Sequence, residues 1–307
     1  MSAELSTILD FIRFGASRFG AAGLTFGHGY DNALDEATQL VLFALHLPHD
    51  LNPVYGQARL TADEKAIVLA LFERRIQERR PACYLTGEAW FAQLSFKCDE
   101  RALVPRSPIA ELIEAGYEPW RNGRPIERVL DLCTGGGCIA IATAHFLPDA
   151  QVDAVDLSEA ALSLATENAE RLLVADRVRL VKSDLFNELA GEKYDLIVTN
   201  PPYVTRDEVA ALPDEYRHEP ESGLIAGEDG LDLALRILRD APQYLTDDGF
   251  LICEVGESER ALVGLFPQVP FIWVEFKVGQ MGIFVIERDD LMTWHNEFAV
   301  IAAERGL

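Results

Sequence analysis

Positive charge is scarce in this chain. Its 307 residues carry 27 Lys and Arg against 50 Asp and Glu, a formal net charge of −23. The deficit is uneven, with residues 1–104 at net −3 and residues 105–307 at net −20. A surface that acidic repels phosphate backbones, whose binding rests on neutralisation by Lys and Arg, so no direct nucleic-acid specificity is expected. It attracts a basic protein partner; solubility alone is the plainer reading of the same charge. Cysteine pairing is lacking too. Cys83, Cys98, Cys133, Cys138 and Cys253 are odd in number, form no Cys-x-x-Cys pair and have no His ligand pattern nearby. That argues against a disulfide framework and a metal site, and for reduced thiols in a cytoplasmic protein. The first residues carry Glu4 and Asp10 where a secretory signal has a basic stretch. No uncharged apolar run approaches the length that spans a bilayer, so no membrane association is expected. The six histidines (28, 46, 49, 145, 218 and 295) are scattered, and no nucleophile motif accompanies them.

What is present divides the chain into three stretches. Residues 1–85 read as an all-helical domain. Ile8, Leu9, Phe11 and Ile12 form one apolar face, and Leu34, Leu40, Val41 and Leu45 continue the pattern. Thr61-Ala62-Asp63-Glu64 is a capping box opening a helix through Ile76. Arg74, Arg75, Arg79 and Arg80 sit at a helix end, where the dipole favours cations. Residues 86–108 change period, and Phe91, Leu94, Phe96, Leu103 and Val104 predict a β-hairpin linker. From residue 109 to 307 strands alternate with helices. Strands are expected at 127–132, 151–156, 178–183, 194–200 and 249–255, with helices at 138–146, 158–173 and 229–245. After a helix at 257–266, residues 271–278 and 283–287 flank Gly279-Gln280-Met281-Gly282, so the last pair is expected to be antiparallel. A helix over 291–304 closes the chain. The fold class is therefore α/β, a parallel sheet covered on both faces.

Val129-Leu130-Asp131-Leu132-Cys133-Thr134-Gly135-Gly136-Gly137 is a strand running into a glycine-rich turn ahead of a helix. Glycine lets the backbone approach a ligand closely and aim N–H groups at it. Asp156 ends the second strand, where a carboxylate can accept both hydroxyls of a ribose. Gly135-x-Gly137-x-x-Ala140 with that acid also satisfies a dinucleotide fingerprint, so alone it names a nucleoside-containing cofactor and not which one. Asp131 places a second carboxylate at the turn, awkward beside a pyrophosphate and natural beside an ammonium. Asp184, ending the third strand, can accept from an adenine amino group. S-adenosylmethionine matches this acidic lining better than a nicotinamide dinucleotide.

Tyr194 to Tyr203 is the most informative stretch. A strand-length apolar run with Ile197, Val198 and Thr199 stops at Asn200, with Pro201 and Pro202 behind it. Proline lacks an N–H and biases its predecessor to extended geometry, which leaves Asn200 at the strand exit. The Asn200-Pro201-Pro202-Tyr203 corner offers an amide side chain, carbonyls without competing N–H groups and an aromatic face. That set suits a planar amide or amine. The stretch from Thr205 to Asp229 follows directly and is rich in acids: Asp207, Glu208, Asp214, Glu215, Glu219, Glu221 and Glu228. It is expected either to recruit a basic protein or to form a solvated lid.

On these motifs the sequence resembles the protein-(glutamine-N5) methyltransferase family, over nearly the whole chain. The release-factor branch of that family typically reads Pro-Arg-Pro-Asp/Glu-Thr-Glu at the linker. Here the residues are Pro105-Arg106-Ser107-Pro108-Ile109-Ala110-Glu111. That departure, with Leu132 to Ala140 at the cofactor loop, resembles the branch acting on large-subunit ribosomal protein L-three. The resemblance implies a class I, Rossmann-like seven-stranded sheet with an antiparallel last strand, and transfer of methyl from S-adenosylmethionine to a glutamine side-chain nitrogen, leaving S-adenosylhomocysteine. It places catalysis at Asn200, Pro201, Pro202 and Tyr203, and the cofactor at Asp131, Thr134, Gly135, Gly137, Asp156, Asp184 and Asn200. Arg106 is expected either at the cofactor edge or paired across the linker. Glu254, on the fifth strand, is expected to satisfy local backbone. Three other readings stay open: the same reaction on release factors, adenine amino methylation of nucleic acid, and a dinucleotide oxidoreductase. Band identification, an electrophoretic shift assay and cofactor titration separate them in turn.

Overall fold

A computed structural model describes residues 4–276 and 282–307. The N-terminal region is helical, as the apolar spacing predicts: α1 (Ile8–Ala21), α2 (Ala33–Ala44), α3 (Ala62–Glu78) and α4 (Ala82–Thr86). Side chains close the exposed amides of the first helical turns. Thr7 and Asp10 form a capping box on α1, Asn32 accepts from two amides of α2, and Thr61 with Glu64 forms the predicted box on α3. The helices pack closely because Gly15 admits the Phe72 ring, where a Cβ would come within 2.6 Å. Phe72 in turn meets Phe19 edge-on, with centroids 5.3 Å apart.

A short antiparallel pair follows, β1 (Glu88–Phe91) and β2 (Leu94–Lys97), then α5 (Ile109–Glu114). The remaining elements are β3 (Arg128–Leu132), α6 (Cys138–Phe146), β4 (Gln151–Asp156), α7 (Glu159–Arg171), β5 (Val178–Lys182) and β6 (Tyr194–Thr199). They continue with α8 (Arg206–Ala211), α9 (Asp232–Asp240), β7 (Leu245–Glu254), α10 (Glu259–Leu265), β8 (Ile272–Trp273) and β9 (Ile283–Glu287). Helices α11 (Arg288–Thr293) and α12 (His295–Glu304) complete the chain. The sheet order is β5-β4-β3-β6-β7-β9-β8, parallel except where β9 pairs antiparallel with β7 and β8. This is the class I methyltransferase-type α/β sheet the resemblance implies.

Both faces of the sheet are buried. Val129, Val152, Leu196 and Val198 face α5, α6 and α7, whereas Leu130, Leu132, Ile197 and Leu251 face α9, α10 and α12. Alternate residues of one strand thus enter opposite cores, and each fully buried aliphatic side chain contributes about 1.5–3 kcal/mol. Chain order reverses between β3 and β6, so a crevice opens at their carboxyl ends. In register, Leu132 lies beside both Val155 and Thr199, which brings Cys133, Asp156 and Asn200 to one edge. Among the described residues no helix is long and apolar enough to cross a membrane.

Several boundaries differ from expectation. The helix expected over 229–245 spans only Asp232–Asp240, because Pro242 cannot donate to continue it and a 3-10 turn takes over. β7 starts at Leu245 rather than 249, since Leu245 already pairs with Tyr194 ahead of a register shift, after which pairing continues from Phe250. Of the strand expected at 271–278, Ile272–Trp273 pairs with β9 and the Val274 amide donates to the Ile283 carbonyl, whereas 277–278 and the turn at 279–281 lie outside the described residues. The last helix is two, parted at Trp294.

Candidate active site

A cavity of about 660 Å³ opens at the switch point. Its walls are the turn after β3, the ends of β4 and β5, the corner after β6 and the linker from Arg101 to Ser107. Thr134, Gly135, Asp156, Asp184, Asn200, Pro201, Pro202 and Tyr203 all line it. Residues read from four separate stretches of sequence therefore share one space.

Asp156 holds the turn from the neighbouring strand. Its Oδ2 accepts from the Gly135 amide and its Oδ1 from the Ser158 amide, each at 2.8 Å. Burial pushes its carboxyl above the usual range, against those amides. Gly135 has φ +56, and a Cβ there would meet nothing nearer than Ala102 at 3.8 Å, which leaves its cavity face open for close approach. Gly137 and Asp131 shape the turn without lining the cavity. Gly137 has φ +82, and a Cβ would sit 2.8 Å from Ile141 and 3.0 Å from Ala165, so its role is close packing of α6 on α7. Asp131 is fully buried beneath the turn. Its Oδ2 accepts from the Thr134 hydroxyl (2.5 Å) and the Ala140 amide (3.1 Å), while Oδ1 has no hydrogen-bond partner. Burial raises its pKa to about 7, only partly opposed by Thr134 and Ala140.

That shift has a testable consequence in the ligand-free protein. A carboxyl whose folded pKa lies above its unfolded value of 3.8 binds protons more tightly when folded. Its contribution is fully present below 3.8 and is lost as pH rises to about 7. Urea unfolding of Asp131→Asn is expected to show a flatter stability profile than wild type between these limits. Parallel profiles would contradict the assignment.

Asp184, near the end of β5, accepts from Arg236 Nη2 at 2.8 Å, a partner on α9 that no local pattern signals. Asn200 leaves β6 just after Thr199, whose hydroxyl donates to the Leu132 carbonyl at 2.8 Å and pins the strand end to β3. The Asn200 side chain makes no hydrogen bond to another described residue, so its amide is free for a ligand. Tyr203 donates its hydroxyl to Glu254 Oε1 at 3.0 Å. Glu254 therefore does not satisfy local backbone as expected: its oxygens take side-chain donors, Tyr203 and Ser107.

The acidic stretch after the corner is partly structural. It closes through a parallel bridge between Val204 and Ile225. Glu215, nearly fully buried, accepts from Arg75, Arg79 and the Thr25 amide. Glu219, equally buried, accepts from Arg106 Nη1 and Nη2 and from the Val104 amide, and His28 Nε2 lies 3.6 Å away. Burial opposes the Glu219 charge, but His28 and Arg106 outweigh it and hold the carboxyl near 2. These two acids bind the segment to the helical region and the linker, which removes them from any recruiting surface. Arg75 and Arg79 likewise serve ion pairs rather than a helix dipole. Arg106 both lines the cavity and pairs across the linker. Asp207, Glu208, Asp214, Glu221 and Glu228 remain exposed.

The Methyltransferase small domain family matches residues 122–212. A ribosomal protein uL3 glutamine methyltransferase of Xanthomonas campestris pv. campestris is 68% identical over 302 residues, covering 98% of each chain. One from Xylella fastidiosa is 66% identical over 302 residues, 98% of this chain and 96% of that one. Among solved structures, the hMettl16 catalytic domain in complex with MAT2A 3'UTR hairpin 6 superposes with a TM-score of 0.50 at 18% identity, over 73% of this chain and 81% of that one. That likeness concerns the fold alone. With two-thirds identity over nearly its full length, the chain belongs to the family of ribosomal protein uL3 glutamine methyltransferases.

Proposed function

We propose that the protein transfers a methyl group from S-adenosylmethionine to the side-chain amide nitrogen of a glutamine in ribosomal protein uL3. The observation that carries this reading is one cavity holding both the Gly135–Asp156 cradle and the unbonded amide of Asn200. The donor set fits the methyl donor. Asp156 retains acceptor capacity for ribose hydroxyls, Asp184 for an adenine amino group, and Gly135 leaves room for close approach. The unpartnered Oδ1 of Asp131, beneath Thr134, puts a carboxyl behind the turn whose ionised form a bound amino-acid ammonium would favour. S-adenosylmethionine supplies, when bound, an electrophilic methyl on a sulfonium sulfur.

The corner answers a particular chemical problem. A glutamine nitrogen is a poor nucleophile because its lone pair is delocalised into the carbonyl. Asn200 Oδ1 and the Pro201 carbonyl accept its two N–H bonds, which aims the lone pair into the cavity. Pro202 cannot donate a backbone N–H, so the Pro201 carbonyl has no competing neighbour. As the lone pair bonds to the methyl carbon the nitrogen gains positive charge and its N–H groups become stronger donors, so these acceptors strengthen toward the transition state. Tyr203 packs on the amide plane. The nitrogen turns acidic only once methylated and then loses one proton to water, the methyl–sulfur bond having broken, so no strong general base is required. The exposed carboxylates of the 205–229 segment, beside the corner, favour a basic protein at this entrance.

Incubating the enzyme with methyl-labelled S-adenosylmethionine and an extract that lacks this methylation tests the substrate. The expected result is a labelled uL3 band. Label in a release factor instead, or in nucleic acid, would overturn the assignment.

A further inference from the structure

Glu254 closes β7 behind Ser107 and Tyr203, which both line the cavity, and is 5% exposed. Two hydroxyls converge on it. Tyr203 Oη donates to Oε1 at 3.0 Å and Ser107 Oγ to Oε2 at 2.5 Å. The Ile109 amide donates to Ser107 Oγ at 3.1 Å, so the serine directs its own proton at the carboxylate. No cation within ion-pair distance neutralises this carboxylate among the described residues. A buried acid held by hydroxyls alone is costly. Burial pushes its pKa up, opposed by Ser107, Tyr203 and the charge of Arg106.

The rest of Tyr203 is equally constrained. A Cβ at Gly256 would lie 2.6 Å from the ring, and one at Gly230 would lie 2.0 Å from the Tyr203 carbonyl. Ser258 Oγ also reaches that carbonyl, at 3.3 Å. Ring, hydroxyl and carbonyl are thus held by the 254–258 stretch at the end of β7, with Gly230 crowding the carbonyl from a second segment. Glu254 is the member of this cage that sets the direction of the phenol.

We propose that Glu254 is a positioning residue for methyl transfer: it accepts the hydrogen bond from the Tyr203 hydroxyl, locks the ring at the substrate amide, and through Ser107 ties that lock to the linker wall. The proposal rests on the reading of Asn200–Tyr203 as the amide site. It also fixes polarity, because a phenol that donates to Glu254 offers only lone pairs to the substrate.

A double-mutant cycle tests it. Glu254→Gln keeps the shape of the side chain but leaves one of the two hydroxyls without its acceptor. Its kcat for the protein substrate is expected to fall by about tenfold to a hundredfold, the cost of small misplacements at a reacting centre. Calorimetric affinity for S-adenosylmethionine should stay within about twofold. Tyr203→Phe should lose a similar factor, and the double variant no more than the worse single one, since both remove one interaction. Ser107→Ala should give a smaller loss of the same kind, and it carries the cycle with Tyr203→Phe if Glu254→Gln does not fold. Unchanged kcat, losses that multiply, or weakened cofactor binding would overturn the proposal. Failure of the corner itself reads out separately, as turnover retained by Asn200→Ala.

Discussion

Asn200→Ala is expected to lower turnover of the protein substrate by about 10²–10³-fold, the scale seen when one preorganised hydrogen-bonding group is lost from a reacting centre. S-adenosylmethionine affinity should stay within about twofold. The asymmetry follows from what Asn200 touches. Its side chain makes no hydrogen bond to another described residue, so its removal leaves no orphaned partner and little change in stability. The Thr199 hydroxyl still pins the strand end to Leu132. The cradle of Gly135 and Asp156 belongs to other strands and is undisturbed. Asn200→Asp separates geometry from charge, because it keeps an acceptor in place. Single-turnover rates beside calorimetric binding measure both parts. Turnover near wild type in Asn200→Ala would remove the corner from the mechanism.

Arg75→Met is expected to cost about 3–5 kcal/mol of stability, as removal of one partner from a buried ion pair does. Arg75 is fully buried. Its Nε donates to Glu36 at 2.7 Å, Nη2 to the Thr25 carbonyl at 3.0 Å, and Nη1 reaches Glu215 at 3.5 Å. The substitution strands the buried Glu36 carboxylate, while Glu215 keeps Arg79 and the Thr25 amide. Burial already raises the Glu36 pKa against the pull of Arg75, so without that pull Glu36 takes up a proton more readily. The melting temperature should fall by roughly 10 °C. The same change removes one of the contacts that hold the 204–226 segment to the helical region, leaving those from Arg79 and Thr25, so KM for the protein substrate should rise modestly while cofactor affinity holds. A melting temperature within a degree or two of wild type would show that the cluster carries no net stabilisation.

The contrast between these two residues explains what the sequence could reveal. Asn200 is legible because its signal is local: β-branched residues give the strand, and two prolines end it. The Gly135 turn and the Thr61 capping box are local in the same sense, and both stand where expected. Arg75 and Glu215 are 140 positions apart, and nothing beside either points to the other. Composition misleads at Glu215 and Glu219, since an acid in an acid-rich segment reads as surface until its partners are seen. Glu254 fails for a related reason. Its donors, Ser107 and Tyr203, lie on the linker and on the corner after β6, and only the sheet order brings them to the end of β7. The register shift between β6 and β7 also hid four residues of strand behind Thr246-Asp247-Asp248-Gly249, which has the composition of a turn.

The claim that this corner methylates a glutamine amide is tested most directly by locating the methyl group. Ribosomal protein uL3 from cells lacking this enzyme would be incubated with the protein and S-adenosylmethionine, then digested and sequenced by fragmentation mass spectrometry. One added methyl on the side-chain nitrogen of a single glutamine, formed about 10²–10³-fold more slowly when Asn200→Ala replaces wild type, is the predicted result. A methyl on any other atom of uL3, or unmodified uL3 alongside a methylated release factor, would contradict it.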